Sequence, residues 1–276
     1  QTTAMKPIQK ILIATDFSST AHNALIYALD LAEMAEAEVF ILHAWRMPVD
    51  AATPYSHDHY LTLEKEAEAK MQQLRHDFLY APKVSYECLV KSGNPVDLIE
   101  EIAHEKQADL IIMGTRRAEG AKTWFGSITT HTVKRSSFPV LVVPEEARFT
   151  RPKTIVLATT PEKVIQLTEL HLVKALASTF GASVNVLHIH PTDQEYPVEQ
   201  QKLQEALDHY LEGITHHFST VRGDKPGEAI ETFIQQHEAD ILVMLPEPHN
   251  LLDRLRHGST TKQMIFHATQ PLLVAK

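Results

Sequence analysis

The sequence predicts an α/β fold of two repeated, open five-stranded parallel sheets with helices on both faces. Three observations predict it. Apolar segments recur in the same order in both halves of the chain. Within each half, short apolar runs alternate with helix-period patterns, as in strand–helix–strand units with right-handed crossovers. Those runs are continuous rather than alternating, as expected of strands covered on both faces.

The elements follow in order. Ile11-Leu12-Ile13-Ala14-Thr15 is the first strand and is echoed by Ile155-Val156-Leu157-Ala158-Thr159. A helix follows with Ala21, Ala24, Leu25, Ala28, Leu29 and Ala32 on one stripe, and Ser18 or Ser19 can cap it. In the second half the same helix has Thr160 as cap, Pro161 at its first position and Gly181 just past its end. Val39-Phe40-Ile41-Leu42-His43 and Val184-Asn185-Val186-Leu187-His188 are the second strands. The second helices place Ala67, Met71, Leu74 and Phe78, and then Leu203, Leu207, Tyr210, Leu211 and Ile214, on one face. Val84, Tyr86, Cys88 and Val90 alternate as in a half-exposed strand. A third helix starts at Asn94-Pro95, and its counterpart follows Pro226. Ala108–Met113 and Ala239–Met244 are the fourth strands, and Gly126-Ser127 and Gly258-Ser259 open the fourth helices. Pro139–Val143 and Pro271–Ala275 are the last strands. The boundary is expected near Pro144 to Pro152, giving domains 5–146 and 151–276.

The totals exclude several classes. A length of 276 residues suits two such domains. The formal charge is −9, from 35 acidic and 26 basic residues, so no nucleic acid and no membrane surface is expected as a partner. One cysteine, Cys88, excludes an internal disulfide framework and fits a reducing cytoplasm. No apolar run approaches the ~18 residues of a membrane span. Gln1–Ala4, before Met5, lack the apolar core of a signal peptide and are expected to carry no role.

Open parallel sheets bind ligands beyond the carboxyl ends of their strands, where strand order reverses. Those ends carry Thr15-Asp16, His43-Ala44, and Gly114-Thr115-Arg116-Arg117. A loop with Gly120 and Lys122 then leads to Gly126-Ser127-Ile128-Thr129. The chemistry suits a phosphate chain. Glycines let main-chain N–H groups approach an anion. A helix beginning at Ser127 offers free N–H groups and a positive dipole end. Ser127 and Thr129 add hydroxyls, and Arg116, Arg117 and Lys122 add charge.

This arrangement is similar to the universal stress protein family, over essentially the whole chain and twice. That family's pattern is a glycine, two residues, a glycine, nine residues, then glycine followed by Ser or Thr. An aspartate closing the first strand, here Asp16, and a Leu-His ending the second, here Leu42-His43, also belong to it. The resemblance implies a strand order 3-2-1-4-5 and pairing of units through their last strands into an internal pseudo-dimer. It implies ATP, with AMP or ADP as alternatives, held with Mg²⁺ on the phosphates. Asp16 and Ala44 would then face the adenosine, with Thr15 also in the site, and Gly114, Thr115, Gly126, Ser127, Ile128 and Thr129 would cradle the phosphates. The first repeat departs from the pattern twice. Arg117 replaces the second glycine, and the interval from Gly114 to Gly126 is 12 rather than the pattern's 13. Arg117 would be strained at positive φ, or it could offer its guanidinium to the phosphates.

The second repeat has drifted further: Thr160 replaces the aspartate, and Leu245-Pro246 the first glycine and its neighbour. Pro246 has no N–H to donate. Gly258-Ser259-Thr260 survives near Arg254, Arg256 and His257, so an anion site is conceivable there but a full nucleotide pocket is not expected. Bland explanations stand beside these. Gly-Ser before a helix is an ordinary cap, Asp16 alone could be a turn residue, and a short basic run is usually solvated. His57-Asp58-His59 and His216-His217 lack metal-ligand spacing. His43 and His188 fit strand-end packing. No G-x-S-x-G turn or carboxylate pair singles out a catalytic residue, so no enzyme beyond a slow ATPase is expected. The expectation is a cytoplasmic stress-response regulator binding an adenine nucleotide in its first domain, with an unknown protein partner. Whether two chains form a homodimer stays open. The alternative is a non-nucleotide-binding scaffold, or protein-interaction module, of the same fold.

Overall fold

A computed structural model of the chain describes residues 7–47, 57–79, 83–116, 127–159, 167–190, 198–245 and 269–276. The first repeat runs β1 (Lys10–Ala14), α1 (Ser19–Ala35), β2 (Glu38–Trp45), α2 (His57–Phe78), β3 (Tyr86–Ser92), α3 (Pro95–Lys106), β4 (Leu110–Thr115), α4 (Ser127–Arg135) and β5 (Val140–Pro144). The second runs β6 (Thr154–Thr159), a short 3-10 turn (Leu167–Leu170), α5 (His171–Phe180), β7 (Ser183–His190), α6 (Val198–Tyr210), β8 (His216–Arg222), α7 (Pro226–Gln236), β9 (Ile241–Met244) and β10 (Leu272–Val274). Thr160, Pro161, Pro246 and Gly258–Thr260, singled out in the sequence, lie outside the described residues.

All ten strands form one sheet in the order β3-β2-β1-β4-β5-β10-β9-β6-β7-β8. Neighbours within each repeat are parallel. The seam β5–β10 is antiparallel and pairs Leu272 with Val142, Leu273 with Leu141, and Val274 with Val140.

Period-two alternation sends each strand's residues to two faces. Ile11, Ile13, Val39, Ile41, Ile112 and Leu141 lie in one core with the α1 residues Ala24, Leu25, Ala28 and Leu31. Leu12, Phe40, Leu42, Ile111, Met113 and Val142 lie in the other with Ile99 and Ile102 of α3. Both cores continue into the second repeat, through Leu157, Val186 and Leu273 on one face and Val156, Leu242 and Leu272 on the other. This two-sided burial is why the strand sequences read as unbroken apolar runs.

Three helix ends follow their expected chemistry, whereas α5 begins at His171, after Leu170 and without a side-chain cap, rather than at the Pro161 start that the sequence suggested. The Ser18 hydroxyl caps α1 by accepting from Ala21 N–H. Asn94 Oδ1 caps α3 by accepting from Val96 N–H, with Pro95 at the first position. Gly181 closes α5 at φ 68°. The repeated Ala-Asp before the fourth strands also has a job. Asp109 Oδ2 accepts from the N–H groups of Gln9 and Lys10 at 2.9 and 3.0 Å. Asp240 Oδ2 accepts from Lys153 and Thr154 at 2.7 and 2.9 Å. Each aspartate ties the start of its repeat's first strand to the fourth.

The seam makes a quantitative prediction. Leu141 and Leu273 face each other across it and are both fully buried. Truncation of either to alanine should cost about 2–5 kcal/mol in denaturant unfolding. Because the two share one cavity, the double variant should cost measurably less than the two single losses added. Strict additivity would show that the strands do not pack on each other.

Candidate functional site

β1 is the strand at which sheet order turns, with β2 on one side and β4 on the other. α1 leaves it on one face and α3 reaches β4 on the other, so the chain opens a gap at the carboxyl ends of these strands. A cleft of about 480 Å³ occupies that gap. Ala14, Thr15 and Asp16 line it from the end of β1, Leu42 and Ala44 from β2, and Met113, Gly114, Thr115 and Arg116 from β4. Ser18, Thr20 and Ala21 line it from α1, Pro95 and Ile99 from α3, and Ile128 and Thr129 from α4.

Seven residues singled out in the sequence thus meet in one place: Thr15, Asp16, Ala44, Gly114, Thr115, Ile128 and Thr129. Ser127 begins α4 as expected. Arg117 and Gly126 lie outside the described residues, as does the Ser127 side chain. Thr20, Pro95, Ile99 and Arg116 complete the wall. Arg116 was visible as charge. Pro95 and Ile99 were legible only as parts of a helix, because nothing in their spacing says which strand ends that helix overhangs.

The turn after β1 is tightly built. Phe17 takes φ 62°, costly for a residue with a Cβ. Its N–H donates to Thr15 Oγ1 at 3.1 Å, and Ser18 N–H donates to Asp16 Oδ1 at 3.0 Å. Its ring rests 4.3 Å from that of His43. A carbonyl can only accept, so His43 Nδ1 carries the proton it gives to Thr15 O at 2.8 Å. Burial lowers the His43 pKa and the Lys70 charge adds to this, while the bond to Thr15 and the Asp16 carboxylate oppose it. Asp16 is exposed at the cleft mouth. It has the turn role anticipated for it and still presents its charge to the cleft.

Gly114 has a packing role: a Cβ there would lie 2.6 Å from Thr20 O and 2.9 Å from Thr20 Cγ2. Gly114 lets α1 settle onto the end of β4. Its carbonyl also accepts from the Thr129 hydroxyl at 3.1 Å, which fixes the first turn of α4 above the strand. Thr129 is therefore a structural tie as well as a wall residue. The Thr20 hydroxyl is buried without a hydrogen-bond partner. Among the described residues, no group of three or more His, Cys, Asp or Glu could hold a metal ion. No described helix is long and apolar enough to cross a membrane.

Comparison with known proteins places the fold and these strand ends in context. The universal stress protein family model matches residues 7–144 and again residues 152–276. The chain belongs to the universal stress protein family. A universal stress protein of Methanocaldococcus jannaschii is 30% identical over 142 residues, 49% of this chain and 81% of that protein. Universal stress protein YxiE of Bacillus subtilis is 30% identical over 145 residues, 49% of this chain and 97% of its own length. The crystal structure of a universal stress protein from Archaeoglobus fulgidus aligns with a TM-score of 0.77 at 20% identity, covering 97% of this chain and 98% of that one. Its likeness is therefore one of fold across both universal stress protein repeats.

Two outcomes are expected. Gly114→Ala should lower stability by about 1–3 kcal/mol, since the new methyl meets Thr20 main chain and not a flexible side chain. An unchanged melting temperature would show that α1 can lift from β4 at no cost. Acidification should also destabilise through His43. Below about pH 6.5 the unfolded chain takes up a proton that folded His43 resists, so stability falls until the lowered folded pKa is passed. His43→Gln should reduce the slope of melting temperature against pH between about pH 7 and pH 5.

Proposed function

We propose that the first repeat binds ATP, or AMP or ADP, in the cleft at the ends of β1, β2 and β4. The observation carrying this reading is the convergence there of Thr15, Asp16, Ala44, Gly114, Thr115, Ile128 and Thr129 from four separate elements. A cleft of about 480 Å³ falls within the usual range for small-molecule sites. Leu42, Ile99, Met113 and Ile128 give it apolar walls for a base, and Arg116 gives it a cation for a phosphate. The first turn of α4 adds the positive end of a helix. Mg²⁺ fits only as a companion of the phosphates, keeping most of its waters. Among the described lining residues, Asp16 carries the one carboxylate.

In this reading the chain is a cytoplasmic stress-response regulator with domains 5–146 and 151–276. The second repeat is a partner that completes the sheet, and nucleotide occupancy biases the loops above the cleft toward one conformation that a protein partner reads. One observation favours the alternative of a scaffold that binds no nucleotide. Asp16, Gly114 and Thr129 each have a structural task that suffices to explain its presence.

Thermal melting with Mg-ATP separates the two. A hundredfold excess over the dissociation constant adds ~2.7 kcal/mol, an easily measured rise in melting temperature. No shift at millimolar Mg-ATP, together with no nucleotide released on denaturing the purified protein, would favour the scaffold.

A further inference from the structure

The segment joining the two repeats touches the cleft through one side chain. Glu145 directly follows β5. Its Oε2 lies 3.3 Å from Arg116 Nε, and its Oε1 accepts from the Ser19 hydroxyl at 3.2 Å. Arg116 lines the cleft and Ser19 opens α1, so one carboxylate bridges the end of β4 and the start of α1. The same segment is docked on α1 by Asn23, whose Nδ2 donates to the carbonyls of Pro144 and Ala147 at 3.0 and 2.9 Å. Glu145 is therefore held in place by its backbone neighbours, independently of Arg116.

The Arg116 and Glu145 side chains are 66% and 38% exposed. An exposed ion pair of this kind contributes little net stability and exchanges readily. A phosphate group engages a guanidinium through parallel charge-assisted hydrogen bonds, a stronger arrangement than the single Nε contact seen here. Arg116 is thus paired with Glu145 on the linker and is also part of the cleft wall.

We propose that Glu145 sets the affinity of the cleft for anionic ligands by competing with them for Arg116. A polyphosphate in the cleft draws the guanidinium from the linker carboxylate. Glu145 then keeps its bond to Ser19 and faces the ligand's charge without a counter-ion. Anionic ligands must overcome both effects, whereas a neutral nucleoside meets neither. The pair thus discriminates by charge and holds the affinity for polyphosphates below what Arg116 alone would give. This inference deepens the nucleotide reading and rests on the same cleft being the ligand site.

The test titrates Mg-ATP, adenosine and inorganic tripolyphosphate against the full-length protein and its Glu145→Gln, Arg116→Gln and double variants. Glutamine keeps the shape of glutamate and its bond to Ser19, and a melting curve of each variant confirms folding. Glu145→Gln should tighten Mg-ATP and tripolyphosphate about fivefold and leave adenosine unchanged, the factor expected when one exposed charge pair is removed from the competition. Arg116→Gln should weaken both anions and erase the effect of Glu145→Gln in the double variant. Equal shifts for adenosine and Mg-ATP, or no tightening by Glu145→Gln, would overturn the proposal while leaving nucleotide binding intact. A fivefold effect on tripolyphosphate with no binding of adenosine or Mg-ATP would instead retire the nucleotide reading and keep this one. Failure of both anions to bind every variant would sink both.

Discussion

Main-chain pairing between β5 and β10 is the constraint on which the architecture depends. Each repeat alone would end in a short, fully buried apolar strand with one row of N–H and C=O groups unpaired. Such an edge is an invitation to associate. Antiparallel pairing satisfies both edges at once, and it forces the two faces of the two sheets to run on as shared cores. The outer edges, β3 and β8, solve the same problem differently. They are only partly buried, and they carry Glu87, Lys91, His217 and Arg222. Burial is thus greatest at the seam and least at the rims, the reverse of two separate sheets placed side by side.

The seam is reinforced by side chains that join the repeats on the α1 face. Tyr27 of α1 meets Phe149 at 5.1 Å, and Phe149 meets Phe180 of α5 at 6.1 Å. Arg151 Nε donates to the Phe180 carbonyl at 2.8 Å. Burial, with the Asp240 charge adding to it, raises the Tyr27 pKa, so this phenol stays protonated across the working range. The linker that carries Phe149 and Arg151 also carries Glu145. The segment that fixes one repeat against the other is therefore the one that reaches the cleft.

Most of the fold was legible because its information is local. An apolar run flanked by turn residues, a stripe of alanines and leucines at helical spacing, or a Ser18, Asn94 or Gly181 at a helix end each states its own structure within a few residues. The repeat made those statements twice, and the resemblance to universal stress proteins implied the pairing of last strands that Leu272–Val274 makes with β5. What stayed hidden depends on residues far apart in the chain. The need for glycine at 114 comes from Thr20, and the value of Asp109 from Gln9 and Lys10. Spacing marks such residues as special but does not distinguish a ligand contact from a helix resting on a strand. For the same reason the sequence gathered Thr15, Asp16, Gly114 and Thr129 into one site without showing that α1 also rests on Gly114.

Structural and binding tasks at these positions are compatible, and the two repeats show how. Gly114 lets α1 close on β4 beside the cleft, and Thr129 ties α4 to the Gly114 carbonyl. A residue spent on such a tie still shapes the space beside it. The matching histidines near the ends of β2 and β7 differ in burial. His43 is half-buried and bonded to the Thr15 carbonyl. His188, at the same register, is only 5% exposed, its Nε2 has no partner, and burial lowers its pKa ahead of the charge of His190. A buried imidazole with an unpaired nitrogen is costly in a site that has no use for water. The same register thus carries a histidine packed beside His190 in one repeat and one bonded to the turn beside the cleft in the other.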